Sequence, residues 1–503
     1  LALGILKYAV ERVRVRGPRR VGRDGASDMS ERTTNAFVSD QETLITCHNS
    51  KGTALRATAV RLTRFAAVFE MYNPHSLLQM SEVLSEFKIT IAGRRVYSGR
   101  AVVSNLVNTG IMLLCEVTLD SDQWLDVDLF SPISQPNRLL EEFAAFMAQW
   151  RKTLAIDPAF KLAVTDFQML LMDLRRWLDQ VELGVRSEPS GPRVEMERQV
   201  LTELEGRILP EIHEWMGRFD EIAERVEEEM RPAARSYARR QIHPLVMCSP
   251  FVYRTFHKPL GYAGDYQMVN MILRDPHEGA TMFAKLVNVV FLQNPPAEAH
   301  RNRIKHLVQR LQEETRRAAA AGRRLRVLNL GCGPAREVQL FLEDPLADQV
   351  DFRLLDFNAE TLDYTRGVLA ELKGRLGRRT GIVCEEKSIH QLLKDYGRPE
   401  TAPAGSYDMV YCAGLFDYVA DRVCARLTEM FYGMLAPGGL LLVTNVDASK
   451  PFRHSMDYLL EWHLIYRTRD HMRLLAPASS HAPAVLTDPT AVNLFLELRR
   501  PEA

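Results

Sequence analysis

Apolar and polar positions change their rhythm several times along this chain. Between about 36 and 135, short alternating runs recur at 55–62, 66–71, 87–91, 96–103 and 111–117. Period-two alternation of this kind predicts half-buried strands. Turn-forming residues separate the runs, at Tyr72-Asn73-Pro74, Ala92-Gly93-Arg94 and Asn108-Thr109-Gly110. Short strands at this spacing predict a small β-barrel or sandwich. The rhythm then turns helical. Leu139, Leu140, Phe143, Phe146, Met147 and Trp150 recur at helical spacing, followed by Phe167, Leu170, Leu171, Leu174 and Trp177. The composition of 184–192 predicts a loop. A Glu- and Arg-rich helical stretch follows over 194–239, with Pro210 and Pro232 as expected interruptions.

Residues 258–266 break the helical rhythm with two glycines, two tyrosines and an aspartate in Gly261-Tyr262-Ala263-Gly264-Asp265-Tyr266. This composition suits a tight loop that presents polar and aromatic groups. Helices are expected at 267–273 and 281–292. After a break at Pro295-Pro296, a long helix is expected from about 297 to 320.

From about 325 the pattern becomes that of an α/β unit. An apolar strand, 326–330, runs into Gly331-Cys332-Gly333 and then a helix at about 336–342. Glycines there permit positive φ and a close approach of backbone to ligand. A second strand, 351–355, ends in Asp356, beside Phe357. An acidic side chain at that strand end can accept hydrogen bonds from both ribose hydroxyls, as in nucleotide-binding α/β folds. The third glycine that a dinucleotide pyrophosphate needs is missing, because Pro334-Ala335-Arg336-Glu337 follows Gly333. S-adenosylmethionine has no pyrophosphate, so the pattern favours it over NAD. A strand near 381–386 leads to Ser388, at the adenine edge. A further strand, Tyr407 to Gly414, brings Cys412 and Ala413 toward the reaction centre. A Pro437-Gly438-Gly439 turn and apolar runs at 440–444 and 492–498 complete the series.

In order and spacing these segments resemble class I, Rossmann-like S-adenosylmethionine-dependent methyltransferases over about 180 residues. The resemblance implies a seven-stranded C-terminal domain over 321–503. The implied cofactor residues are Asn329, Gly331, Cys332, Gly333, Asp356, Phe357, Ser388, Cys412 and Ala413, with Asp265 from the loop. Asn329 departs from the family, which often has an acid there; its amide oxygen can still accept a hydrogen bond. The loop 261–266, Gly414-Leu415-Phe416-Asp417-Tyr418 and 462–467 together look like a narrower bacterial group that makes 3-hydroxy fatty acid methyl esters. That likeness implies carboxyl O-methylation of a hydroxy fatty acid, with Tyr262 and Asp265 closing over the site. His454 is expected to orient the acceptor or act as base, and Arg467 to pair with its carboxylate. Core packing is the alternative for both.

The β-rich segment, 36–135, resembles a PilZ-type barrel in strand pattern. Arg56 and Arg61 stand too far apart for that family's arginine signature, and 62–67 lacks its acidic-Ser-Gly signature. A barrel without dinucleotide binding is therefore expected. Residues 1–35 are expected to be a disordered or extraneous extension, 136–240 a helical connector, and 241–320 a helical cap. The whole reads as a multidomain α/β chain with an N-terminal small β-barrel and a central helical region.

Composition narrows the partners. Lys plus Arg and Asp plus Glu number 64 each, so no general attraction to nucleic acid is expected. No apolar run is long enough for a transmembrane helix. Seven scattered cysteines without a CxxC pair predict neither a metal site nor disulfides, and so a cytoplasmic setting. The expected partner is a small-molecule acceptor, with homodimerisation through the helical region open. A protein methyltransferase and a non-enzymatic sensor of S-adenosylmethionine or a cyclic dinucleotide are the competing readings.

Overall fold

The computed structural model describes residues 43–50, 52–71, 78–91, 94–108, 113–125, 155–187, 192–395 and 405–502, with single positions at 140, 143, 144, 147 and 151. The expected extension, 1–35, lies outside the described residues, as does most of the first expected helix near 139–150.

The N-terminal strands are β1 (Thr43–His48), β2 (Ala54–Leu62), β3 (Ala66–Met71), β4 (Val83–Ile91), β5 (Arg94–Asn108) and β6 (Leu113–Leu119). They close into a barrel in the order β1-β2-β3-β6-β5-β4. Alternation decides which side chains go inside: Leu55, Ala57 and Ala59 of β2 are buried, and Arg56, Thr58 and Val60 face out. Phe69, Phe87 and Tyr97 fill the interior. The pattern had not marked β1, whose run Thr43-Leu44-Ile45-Thr46-Cys47-His48 does not alternate apolar with polar residues.

Helices follow: α1 (Pro158–Ser187), α2 (Arg193–Glu224), α3 (Arg231–Val246), α4 (Pro250–His257), α5 (Tyr266–Leu273), α6 (Met282–Leu292) and α7 (Pro295–Ala320). Two expectations are corrected. Helix α1 runs on through Gly184 to Ser187, so no loop begins at 184. Pro210 lies inside α2 and does not interrupt it, whereas Pro232 sits in the first turn of α3, where a missing N–H costs nothing. Apolar side chains of α1, α2, α3 and α6 share one core with Phe452, Met456, Tyr458 and Trp462 of the C-terminal region. The stretch 158–246 is therefore packed on the C-terminal half.

The C-terminal strands are β7 (Leu325–Leu330), β8 (Val350–Asp356), β9 (Gly381–Glu386), β10 (Tyr407–Cys412), β11 (Leu435–Val446), β12 (Ala484–Thr487) and β13 (Asn493–Arg499). They form a seven-stranded sheet in the order β12-β13-β11-β10-β7-β8-β9. The central pairings are parallel, and β13 runs antiparallel to both β11 and β12. Helices α8 (Arg336–Phe341), α9 (Ala359–Leu376), α10 (Ile389–Asp395), α11 (Asp421–Met434), α12 (Arg453–Leu459) and α13 (Arg469–Leu474) complete the unit. The order reverses between β7 and β10, which places a ligand crevice at their carboxyl ends. No helix among the described residues is long and apolar enough to cross a membrane.

Candidate active site

The crevice beyond β7 and β10 is continuous with one cavity, roofed by the 261–266 loop, α7 and the segment after α12. On one side lies the β7–α8 turn. Gly331 and Gly333 have φ of +70° and +51°. The turn is fastened to β8 by Gly331 N–H and Cys332 N–H, which donate to Leu355 O at 2.8 and 3.1 Å. Asp356, at the end of β8, accepts from Gly333 N–H at 3.0 Å and Asn358 N–H at 3.1 Å. Burial raises its carboxyl above the ordinary value.

Asn329, at the end of β7, donates to Glu337 Oε1 at 3.3 Å, and Tyr411 donates to the same oxygen at 2.7 Å. Asn329 Oδ1 is buried without a hydrogen-bond partner. An orphaned acceptor beside a buried carboxylate suits an incoming ammonium.

The glycine-rich loop explains its own composition. Gly261 and Gly264 have φ of +82° and +77°. A Cβ would stand 2.9 Å from Ser50 Cβ at the first and 2.9 Å from Tyr418 Oη at the second. Between them, Tyr262 packs its ring 4.9 Å from that of Phe357 and lies 3.3 Å from Thr361 Oγ1. Burial pushes the Tyr262 hydroxyl far above its ordinary range, so it stays protonated. Tyr418 Oη accepts from Trp462 Nε1 at 2.8 Å.

Arg303 enters the cavity from α7. It is buried, and its Nη2 bonds His300 Nδ1 at 2.9 Å. Arg303 makes no ion pair among the described residues. Burial lowers its pKa, opposed by Asp417, Tyr418 and Glu337 from beyond salt-bridge distance. Burial and the Arg303 charge push His300 well below its ordinary value, so its ring is neutral and accepts. Lys450 also faces the cavity, 2.9 Å from Met456 Sδ, with burial pushing its ammonium down to about 8. Asp417 accepts from Val446 N–H at 2.7 Å, and burial raises it to about 6. Apolar groups fill the rest of the wall, among them Met80, Ile304, Leu415, Met456 and Leu464.

Of the sequence-expected residues, Asn329, Gly331, Cys332, Gly333, Asp356, Phe357, Ser388, Ala413 and Tyr262 line this cavity. The other four do not. Cys412 is fully buried in the apolar layer between sheet and α11. Asp265 caps α5 through Met268 N–H at 2.8 Å and pairs with Arg254 at 2.9 Å. His454 turns to Glu224 of α2. Arg467 is spent on Asp421, Asn445 and the carbonyls of Phe416 and Val419. Sequence reasoning passed over Arg303, His300, Glu337 and Lys450. Only the burial of a charged position on the apolar face of α7 could have marked Arg303.

Residues 297–481 match a family model described as a methyltransferase domain. No match was found among curated proteins. Among solved structures, one from Bordetella parapertussis, described as a possible exported protein, is 20% identical with a TM-score of 0.39, covering 50% of this chain and 86% of that one. Magnesium protoporphyrin IX methyltransferase from Synechocystis, with bound SAH, is 12% identical with a TM-score of 0.30, covering 41% and 87%. An O-methyltransferase family protein from Burkholderia thailandensis is 15% identical with a TM-score of 0.30, covering 50% and 72%. Each overlap is partial; the domain match and the glycine cradle carry the assignment.

Proposed function

We propose that this chain, an S-adenosylmethionine-dependent methyltransferase, methylates a carboxylate oxygen on a small, largely apolar acid such as a hydroxy fatty acid. The observation that carries the reading is Arg303: a buried guanidinium without an ion pair among the described residues, in a cavity whose wall also carries Met80, Ile304, Leu415, Met456 and Leu464. A buried cation without a partner is costly, and an acceptor carboxylate would remove that cost.

The residues present fit the cofactor. Asp356 would take the ribose hydroxyls, Gly331 and Gly333 would pass its amino-acid end, and Asn329 Oδ1 with Glu337 would receive its ammonium. Phe357 and Ser388 would flank the adenine, with Tyr262 over it. Bound there, S-adenosylmethionine supplies a methyl group on an electron-poor sulfur. The chain's own task is then alignment and exclusion of water. Arg303 and His300 hold the acid, Lys450 adds a second positive charge, and Trp462, Met456 and Leu464 exclude solvent. A carboxylate already carries its nucleophilic electron pair and needs no base.

A second reading is favoured by Asp417. A carboxyl raised to about 6 on the cavity wall is poised to take a proton from a hydroxyl acceptor. Labelled S-adenosylmethionine, offered with fatty acids, 3-hydroxy acids and long-chain alcohols, separates the two. Methyl esters from the acids, with KM raised about 10–100-fold by Arg303→Met, support the carboxylate reading. Ethers formed only from hydroxyls, and lost in Asp417→Asn, replace it. Label in neither defeats both.

The six-stranded barrel supports a PilZ-like origin, with Arg56 exposed and Arg61 paired with Glu116 at 3.3 Å on the outer surface. Exposed Leu162, Met169 and Trp177 on α1 support homodimerisation through the helices.

A further inference from the structure

We propose that the N-terminal barrel is a working part of the active site: its turn 78–82 forms one wall of the acceptor cavity, and the Met80 side chain sets the room left for the acceptor. The acceptor part rests on the acid reading above. Gln79 and Met80 line the same cavity as Gly331, Arg303 and Trp462. They are the barrel's contribution to that wall among the described residues.

The turn is held rigid from within. The Glu82 carboxylate, buried, accepts from Ser50 N–H at 2.9 Å, Ser50 Oγ at 2.7 Å and Gln79 N–H at 2.7 Å. Ser81 adopts φ +60° and donates its N–H to Val103 O at 2.8 Å. A non-glycine residue in that region is held there only by surroundings that over-determine it.

Toward the catalytic half the turn is stitched at three points. Ser81 Oγ donates to His463 O at 2.9 Å and accepts from His463 N–H at 2.6 Å. Met80 N–H donates to Tyr418 O at 3.4 Å, and Val83 N–H to Gly261 O at 2.7 Å. Each contacted segment itself lines the cavity, through Leu464 and Trp462, Tyr418, and Tyr262 and Gly264.

A second fastening lies beside the turn. The buried Glu461 carboxylate binds Arg100 of β5 at 2.5 Å, Thr118 of β6 at 3.2 Å, and Arg239 of α3. Burying one carboxylate between two guanidiniums from different regions needs a fixed geometry, unlike a module on a loose tether. Docking for stability alone would not require two barrel residues to line the cavity.

The test uses the full chain. With labelled S-adenosylmethionine, straight-chain acids of about 8 to 16 carbons are compared in wild type, Met80→Ala and Met80→Trp, since each methylene in a fitted pocket counts about 10-fold or more. The alanine variant is expected to move the preferred length up by about two carbons and the tryptophan variant to move it down by as much. S-adenosylhomocysteine affinity should stay within about twofold in both. An unmoved length profile in two folded variants overturns the proposal.

If wild type methylates no acid, the acid reading falls, and hydrogen exchange of 78–83 decides the wall by itself. Slowing of about threefold or more on adding S-adenosylhomocysteine supports it, because the turn's amides report ordering of Tyr418 and Gly261. Unchanged exchange overturns it.

Discussion

Gly414 and Arg303 share one small volume. A Cβ on Gly414 would stand 3.1 Å from Arg303 Nη1 and 3.4 Å from Nη2, and Gly414 itself has φ +99°. The glycine at the end of β10 thus leaves the space that the guanidinium occupies. Gly414→Ala is expected to strain the backbone and shift Arg303, lowering stability by about 1–3 kcal/mol. Acceptor KM should rise more than cofactor Kd. Thermal unfolding and steady-state kinetics check this; an equal loss in both constants places the damage in the cradle.

Asp356 already accepts two backbone N–H groups, from Gly333 and Asn358. Its removal takes away the proposed ribose acceptor and the tie that holds the glycine turn. Asp356→Ala is expected to weaken S-adenosylhomocysteine binding by about 1–3 kcal/mol. Unchanged affinity by calorimetry, with the fold retained, removes Asp356 from that role.

Asp417 should make stability depend on pH in a defined direction. Its folded pKa is about 6, against an ordinary 3.8, because burial disfavours the charged form. Between these values the native chain keeps a proton that the unfolded chain has lost, so stability falls as pH rises through the window. An amide in place of this carboxyl would stay neutral throughout and could still accept from Val446 N–H. Asp417→Asn is therefore expected to gain about 1–3 kcal/mol over wild type near pH 7 and almost nothing below about pH 4. Denaturant unfolding at both pH values tests it; a gain that is the same at both contradicts the assignment.

Arg467 and His454 should behave as structural groups. Arg467 is fully buried and donates to two carbonyls, Asn445 and Asp421. Arg467→Met leaves those acceptors unsatisfied and is expected to cost about 3–5 kcal/mol, seen as a large fall in Tm or in soluble yield. His454→Ala, which frees the exposed Glu224, is expected to lower Tm with little change in kcat. A large drop in kcat without loss of stability would return His454 to the chemistry.

Much of the architecture was legible along the chain because it is locally encoded. Period-two runs marked β2, β3 and β5, and the Gly-x-Gly corner with an acid at the next strand end marked β7, β8 and their ligand crevice. The glycine loop was recognisable as a loop, but its partners were not. Gly261 is forced by Ser50 and Gly264 by Tyr418, contacts spanning 211 and 154 positions of chain. His454 and Arg467 looked chemical because they are polar groups after β11, yet neighbours distant in sequence spend them on burial.

The glycine corner and the carboxylate of Asp356 follow from the amino-acid pattern alone, since they depend on apolar strand runs and the few residues that end them. Which cation stays unpaired in the cavity, and that a barrel turn closes one of its walls, depended on packing. Burial sets the cost of a charge and the worth of a hydrogen bond, and burial is a property of the assembled fold. Hence Arg303 of α7 faces the cavity, while Arg467 is locked into the frame.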